Sequence, residues 1–313
     1  MKPVSTMLDG LRAAMLSQTG YAPDTIEANT QLTRFDTAKR GDKTGWYVCH
    51  LMPWGMVARF GNWREGYTHK WNSFEPSRLD KKQFAEFKRI QQEQAKARKA
   101  EQTRQHEAAR LKAVSLWGGS KPANPEHHYL QKKRVGAYGI RQSGSLLIIP
   151  LIDLDGYLHN IQTIAPDGTK RFLSGGRKKS LFFPLSHDGN LINANGVIIC
   201  EVYATGASYL EESHDVSVLV AYDAGNLLPV AQAFRARYPS VSITILADND
   251  RKTPGNPGVT KATEAATAVQ AGLIVPEFPD YAPSNLTDYN DWRNFWNDRI
   301  ADRLSISDVE EAA

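Results

Sequence analysis

The stretch ITILADNDRKTPGNPG (residues 243–258) decides the fold when read beside VIICEVYATGASYLEE (residues 197–212). Each opens with an apolar run of strand length and closes that run with an acid: Asp248 and Asp250 in the first, Glu201 in the second. Short apolar runs bounded by turn residues suit buried parallel strands. In open α/β sheets, ligands bind outside the carboxyl ends of such strands. Spacing i, i+2 in extended chain turns two side chains to one face, so Asp248 and Asp250 are expected to face Glu201 together. Three carboxylates in one place repel one another, and a divalent cation is the usual remedy. Mg²⁺ takes a few carboxylates plus substrate phosphates, so the cluster points to phosphoryl chemistry. For each acid taken alone, a helix cap or a turn is an equally good reading.

Outward from this pair, strands and helices alternate. VIICE, VSVLVAYD, VSITILAD and LIVPEFP read as strands. ATGASYLEES, NLLPVAQAFRARY and GVTKATEAATAVQA read as the helices between them. Such alternation predicts a parallel sheet with helices on its faces. DYNDWRNFWNDRI closes the region as an aromatic-faced helix, and the acidic tail SISDVEEAA is expected to fray. Upstream, GSLLIIPLID, GYLHNIQTIAP and KRFLSG are short strands joined by Asp-containing turns, including Asp155-Gly156 and Asp167-Gly168, which read as turn residues and not ligands. Residues 78–114 lack Gly and Pro and predict one long charged helix, broken or unbroken near its middle. It is either a solvated linker or a basic strut along a nucleic-acid backbone. Residues 1–75 hold Trp46, Tyr47, Trp54, Phe60, Trp63 and Trp71. These rings either build a small core or, beside Arg34, Arg59, Arg64 and Lys70, stack partly on single-stranded bases.

The expected architecture is therefore α/β. An aromatic-rich α+β N-terminal module covers residues 1–75, a linker helix 76–119, a strand-rich basic subdomain 120–195, a parallel sheet flanked by helices 196–300, and an acidic tail 301–313. A net charge of +4 permits nucleic-acid binding without requiring it. Two distant cysteines, each in an apolar run, read as buried thiols of a reducing compartment. They allow no Cys₄ or Cys₃His zinc site, and His127 and His128 are adjacent without metal spacing, so zinc is not expected. No apolar run approaches a bilayer span of roughly 20 residues, and MKPVSTMLDGLRAAML reads as an amphipathic helix and not a signal peptide. A cytoplasmic location without membrane partners is the expectation.

The Glu201 and Asp248/Asp250 segments resemble the Toprim domain shared by bacterial-type primases, topoisomerases and some nucleases. HHYLQKKRV, LLIIPLIDLDGYLHNIQTIAPDGTKRFLSGGRKKSLFF, AYDAGNLLPVAQAFR, ADNDRKTPGNPGVTKATEAA and LTDYNDW extend the resemblance to the Toprim primases of conjugative plasmids and phages. Together they cover most of residues 127–292. The resemblance implies a DNA primase that makes short RNA primers on a single-stranded DNA template from nucleoside triphosphates, with Mg²⁺ or Mn²⁺. It implies a catalytic set of Glu201, Asp248 and Asp250, with Asp223 as a further metal ligand. In such a site Glu201 serves either acid–base work or direct ligation. Lys170, Arg171, Arg177, Lys178 and Lys179 are the basic groups expected to offset phosphate charge, the last three in the Gly-rich segment SGGRKKS. Asn226 is expected beside them or hydrogen-bonded to Asp248. Lys132, Lys133 and Arg134 are candidates for gripping template or primer, as are Trp63 and Arg64 in the N-terminal module. Asn249, Asn256 and Gly258 shape the loop after the acids; Asp288, Asn290 and Asp291 match the family's DxND ending or cap the last helix. A metal-dependent nuclease on the same carboxylates, or a weakly catalytic single-strand-binding protein, are the other readings. The sequence departs from the family where Val202, and not Gly, follows the Glu. There is no upstream Cys-rich zinc module and no Walker A pattern, so unwinding would fall to a separate replicative helicase.

Overall fold

Short, mostly apolar and mostly buried runs, VIIC, SVLV and ITIL, make the central strands. The computed structural model describes residues 3–28, 30–187, 189–192, 196–213 and 216–311, with backbone alone from 303 onward. It divides into two units, residues 1–105 and 106–313.

The first unit opens with α1 (Val4–Thr19). β1 (Thr33–Phe35), β2 (Gly45–Met52), β3 (Gly55–Asn62) and β4 (Thr68–Asn72) follow as an antiparallel meander in chain order. Met7, Leu11 and Met15 on α1 recur at helical spacing and are buried against Tyr47, Cys49 and Phe60 of the sheet. Trp46 and Tyr47 are each only 1% exposed, so these two rings are core. A 3₁₀ turn at Pro76–Arg78 leads into α2 (Lys81–Gly118), which runs 38 residues without a break.

The second unit contains two sheets. β5 (Lys121–Pro122), the short helix α3 (His128–Lys133), β6 (Arg141–Ser143), β7 (Leu146–Ile152), β8 (Leu158–Ile164) and β9 (Lys170–Phe172) come first. Their five strands form an antiparallel sheet in chain order. β10 (Phe183–Leu185), β11 (Val197–Cys200), α4 (Tyr203–Glu212), β12 (Ser217–Val220), α5 (Ala224–Arg237), β13 (Ile243–Leu246), α6 (Pro257–Val269), β14 (Gly272–Ile274) and α7 (Tyr289–Glu311) complete the chain. The second sheet has the order β10-β12-β11-β13-β14, parallel except for β10.

Alternation along these strands divides the core. Val197, Ile199, Leu219 and Ile245 face α5 and α6, packing on Val230, Phe234 and Ala262. Ile198, Cys200, Val218 and Leu246 face the other way, towards Tyr203 and Leu210 of α4 and Leu147, Ile149 and Leu181 of the upstream strands. The strand-rich region 120–195 therefore shares one core with the parallel sheet and lends it a strand, β10. The tail expected to fray is helical to Glu311, because residues 301–311 prolong α7 without Gly or Pro. The last strand is confined to Gly272–Ile274, since Pro276 and Pro279 offer no N–H for further pairing. Among the described residues no helix is long and apolar enough to cross a membrane.

Gly196, just before β11, has φ +87°, and a Cβ there would stand 2.3 Å from the Ser242 carbonyl oxygen. That same oxygen accepts the Val197 N–H at 3.0 Å, so the strands cannot separate to make room. Gly196→Ala is expected to lose about 2 kcal/mol or more of stability, from the left-handed backbone and the clash together. Urea unfolding measures it; an unchanged midpoint would refute the close approach.

Candidate active site

Parallel pairing sets Cys200 level with Val220 on one side and Leu246 on the other. The chain then leaves all three strands at the same edge. Glu201 follows its strand by one residue, Asp248 follows β13 by two, and Asp223 follows β12 by three, at the N-cap position of α5 but without a side-chain capping bond. Val202 caps α4 in an extended conformation, φ −124° and ψ 156°, which any residue adopts. The turn after the glutamate therefore needs no glycine, and Val202 forms part of the site wall.

A cleft of about 330 Å³ opens at this edge, lined by Lys132, Lys133, Lys170, Val202, Asp248 and Asp288, among others. Glu201 is 8% exposed. Its Oε1 and the Oδ1 of Asp248 are both enclosed and have no hydrogen-bond partner among the described residues. Burial, then the charges of Asp250 and Asp223, push Glu201 up to about 7; the Ala224 N–H and Lys170 pull the other way. Asp248 is held well above the carboxylate range by burial and then by Glu201, Asp288 and Asp250. Burial also raises Asp288, against the pull of Lys133.

Two lysines answer these acids. Lys170, on β9, is accessible from the open side of the cleft, yet crowding of its ammonium by protein lowers its pKa. Asp288, Asp248 and Glu201 only partly counter that. Lys133 is different: burial would lower it, but Asp288 and Asp291 outweigh this and its ammonium is raised. Its Nζ lies 2.9 Å from Asp291 and 3.7 Å from Asp288. The backbone there is tied down as well, since the Lys133 carbonyl accepts from Asn290 at 2.6 Å and Asn294 at 3.3 Å.

The structure gathers some expected residues and disperses others. Asp248 lines the cleft, whereas Asp250 turns towards α6, its Oδ2 accepting the Gly258 N–H at 3.0 Å. Strand β13 ends at Leu246, so the two-residue alternation expected of Asp248 and Asp250 has no strand to impose it. Asp250 still acts on both other acids through its charge. Asp223 pairs with Lys178. Asn226 does not reach Asp248: its Oδ1 takes the Ser180 N–H, and its Nδ2 donates to Leu181 and Ala221 carbonyls. It thereby clamps the RKKS turn to the start of α5. The Arg177 carbonyl is held by Asn160 at 3.0 Å, and neither Arg177 nor Lys179 lines the cleft. Arg134, at φ +53°, pairs with Asp298. Trp63 and Arg64 belong to the first unit, where Trp63 packs tilted against Trp46 and Arg64 lies 3.7 Å from Asp42. Three cleft residues escaped the sequence reading: Asp288 as an inward-facing acid, Tyr129, whose buried hydroxyl has no partner among the described residues, and Asp167 beyond its turn. The available signal was their position within HHYLQKKRV, PDGTK and TDYND.

Among the described residues no group of three or more His, Cys, Asp or Glu is arranged to hold a metal ion. The donor chemistry nevertheless fits a hard divalent cation. Two enclosed carboxylate oxygens without partners, on neighbouring strand ends, are what such an ion satisfies.

Residues 196–302 carry a Toprim domain, matching that family over this span. Two proteins of Escherichia coli named DNA primase TraC are each 33% identical to the chain, over 294 and 258 residues. The matches cover 88% and 80% of this chain, but only 27% and 17% of those proteins, so the chain spans about a quarter or less of their length. Among solved structures, the primase fragment of the bacteriophage T7 primase-helicase aligns with a TM-score of 0.40 and 17% identity, over 56% of this chain and 73% of that one.

In the metal-free protein, Glu201 and Asp248 hold protons more tightly folded than unfolded. Stability should then fall as pH rises from the ordinary value of 4.5 through about 7. Asp248→Asn removes one buried charge and is expected to stabilise the chelated protein at pH 8 by roughly 1–3 kcal/mol while flattening this slope. Urea titrations in chelator at pH 5 and pH 8 read both effects. Identical slopes for wild type and variant would rule out the repulsion.

Proposed function

We propose that this chain is a DNA primase: a nucleotidyltransferase that joins ribonucleotides on a single-stranded DNA template at its Toprim edge. The observation carrying this reading is the pair of enclosed, unpartnered carboxylate oxygens on Glu201 and Asp248, facing Lys170 within a Toprim domain. The 33% identity to proteins named DNA primase supports it over most of the chain's length.

Glu201 and Asp248 would hold a divalent cation, Mg²⁺ or Mn²⁺, with Asp250 adding charge from the side. The bound ion would supply Lewis-acid stabilisation of phosphate oxygens. The protein's own groups account for the rest. Lys170 meets the triphosphate, its partly desolvated ammonium giving a stronger interaction than one in water. Lys132 extends the positive wall at the cleft mouth. Lys133 is already committed to Asp288 and Asp291, so its role is to hold those acids in place at the cleft. Lys178 neutralises Asp223, which lowers the excess negative charge facing an incoming nucleotide.

Primer synthesis from labelled ribonucleotides on single-stranded DNA tests the assignment. Glu201→Gln and Asp248→Asn should each lower turnover by roughly 10²–10³-fold. Lys170→Ala should chiefly raise the KM for nucleoside triphosphate, by about tenfold. Absence of product from wild type with either metal overturns the primase reading. Metal-dependent loss of the template, abolished by Asp248→Asn, would assign a nuclease in its place.

A further inference from the structure

Away from the Toprim edge, the first unit holds two partly buried arginines, Arg59 and Arg98, that make no ion pair among the described residues. Arg59 lies on β3 directly across from Lys70 on β4. Thr68 lies on the same face of β4, two residues before Lys70, and its hydroxyl accepts from Arg98 Nη1 at 3.0 Å. Arg98 comes from α2, so the helix delivers a second guanidinium beside the first. The Arg98 guanidinium also sits 6.0 Å from the Trp46 ring. Trp46 lies over Gly61, where a Cβ would meet its indole at 3.0 Å.

The donors here are unmet. Arg59 Nε and Arg98 Nε are both enclosed and have no partner among the described residues, and the indole N–H of Trp63, tilted against Trp46, is in the same condition. Arg59, half-buried, makes no ion pair at all among the described residues. The acids of α2 within this unit are engaged elsewhere. Glu86 accepts from Trp54, Glu93 pairs with Arg89, and Glu101 binds Arg104 and Gln105. Burial and the neighbouring Arg98 both lower the pKa of Arg59. A guanidinium cannot escape by losing its proton, so two of them side by side call for an anion.

We propose that Arg59 and Arg98, with Lys70 at the rim, form a phosphate-binding site on the first unit that holds the backbone of a single-stranded nucleic acid. Guanidinium forks match phosphate oxygens in pairs, which a lone lysine does not. The rings nearby do not provide base stacking, because Trp46 is buried at 1% exposure and Trp63 is turned onto it. The site therefore grips charge and shape and not base identity. It stands independently of the catalytic reading of Glu201 and Asp248.

Fluorescence anisotropy of the full chain with a labelled oligothymidine, at several salt concentrations, tests it. The double substitution Arg59→Gln with Arg98→Gln is expected to weaken binding about tenfold and to reduce the slope of log K against log salt by one to two. Asp248→Asn, measured in parallel, should leave that difference between the arginine forms intact. On the wild-type protein, phenylglyoxal labelling followed by mass spectrometry gives a second readout that requires no variant to fold. Oligothymidine should protect both arginines. Unchanged affinity and slope in a double variant with native circular dichroism overturns the proposal. So does protection by inorganic phosphate but not by the oligonucleotide, which would assign a free-anion site.

Discussion

Parallel hydrogen bonding holds Cys200 abreast of Val220 and Leu246, and the chemistry of the second unit depends on that alignment. A slip of one residue in either pair would send alternate side chains to the opposite face and carry an acid away from the edge. The register is fixed by burial on both faces, since Ile198 and Ile199 point into different cores and neither tolerates exchange. Hydrophobic packing thus forces carboxylates together that would separate if free. The cost appears as raised proton affinity in Glu201 and Asp248.

Local structure around the acids shares this logic of crowded backbone. Gly258 opens α6 where a Cβ would come within 2.3 Å of the Asp248 carbonyl oxygen. Its N–H binds Asp250, so the start of α6 takes up one acid and leaves Asp248 facing the cleft. Asn249 bonds through its backbone to Thr287 and through its side chain to Pro276, which ties the strand end to the segment leading into α7. Asn256 then reaches back to Asn249 at 2.9 Å. The loop between β13 and α6 is held by polar side chains at each end and is far from a passive connection.

Much of this was legible in the amino-acid sequence because strands announce themselves through apolar runs. VIIC, SVLV and ITIL are each buried strands, and the acids that end them are visible without coordinates. Lys170 was legible too, being a basic residue in a short strand near the Gly-rich turn. What stayed hidden depends on long-range packing. Asp288 is separated from Asp248 by 40 residues of chain, and only the placement of α7 turns it inward. Asn226 looked like a ligand because it follows an acid at a strand end, but its amide is consumed by three backbone groups. Burial of Trp46 was likewise undecidable from composition, since a ring dense with arginine neighbours fits either a core or a stacking platform.

The anchoring of Lys133 by α7 has a bearing on how this chain can be divided. Asn290 and Asn294 grip the Lys133 carbonyl, Arg293 donates to the Arg134 carbonyl, and Asp291 binds the Lys133 ammonium, all across more than 150 residues of sequence. A fragment trimmed to the strand–helix alternation alone, ending after β14, would retain Glu201 and Asp248 but lose the helix that fastens α3 beside them. A piece of the chain that keeps the cleft intact must therefore include α3 and α7 together with the sheet that carries its acids.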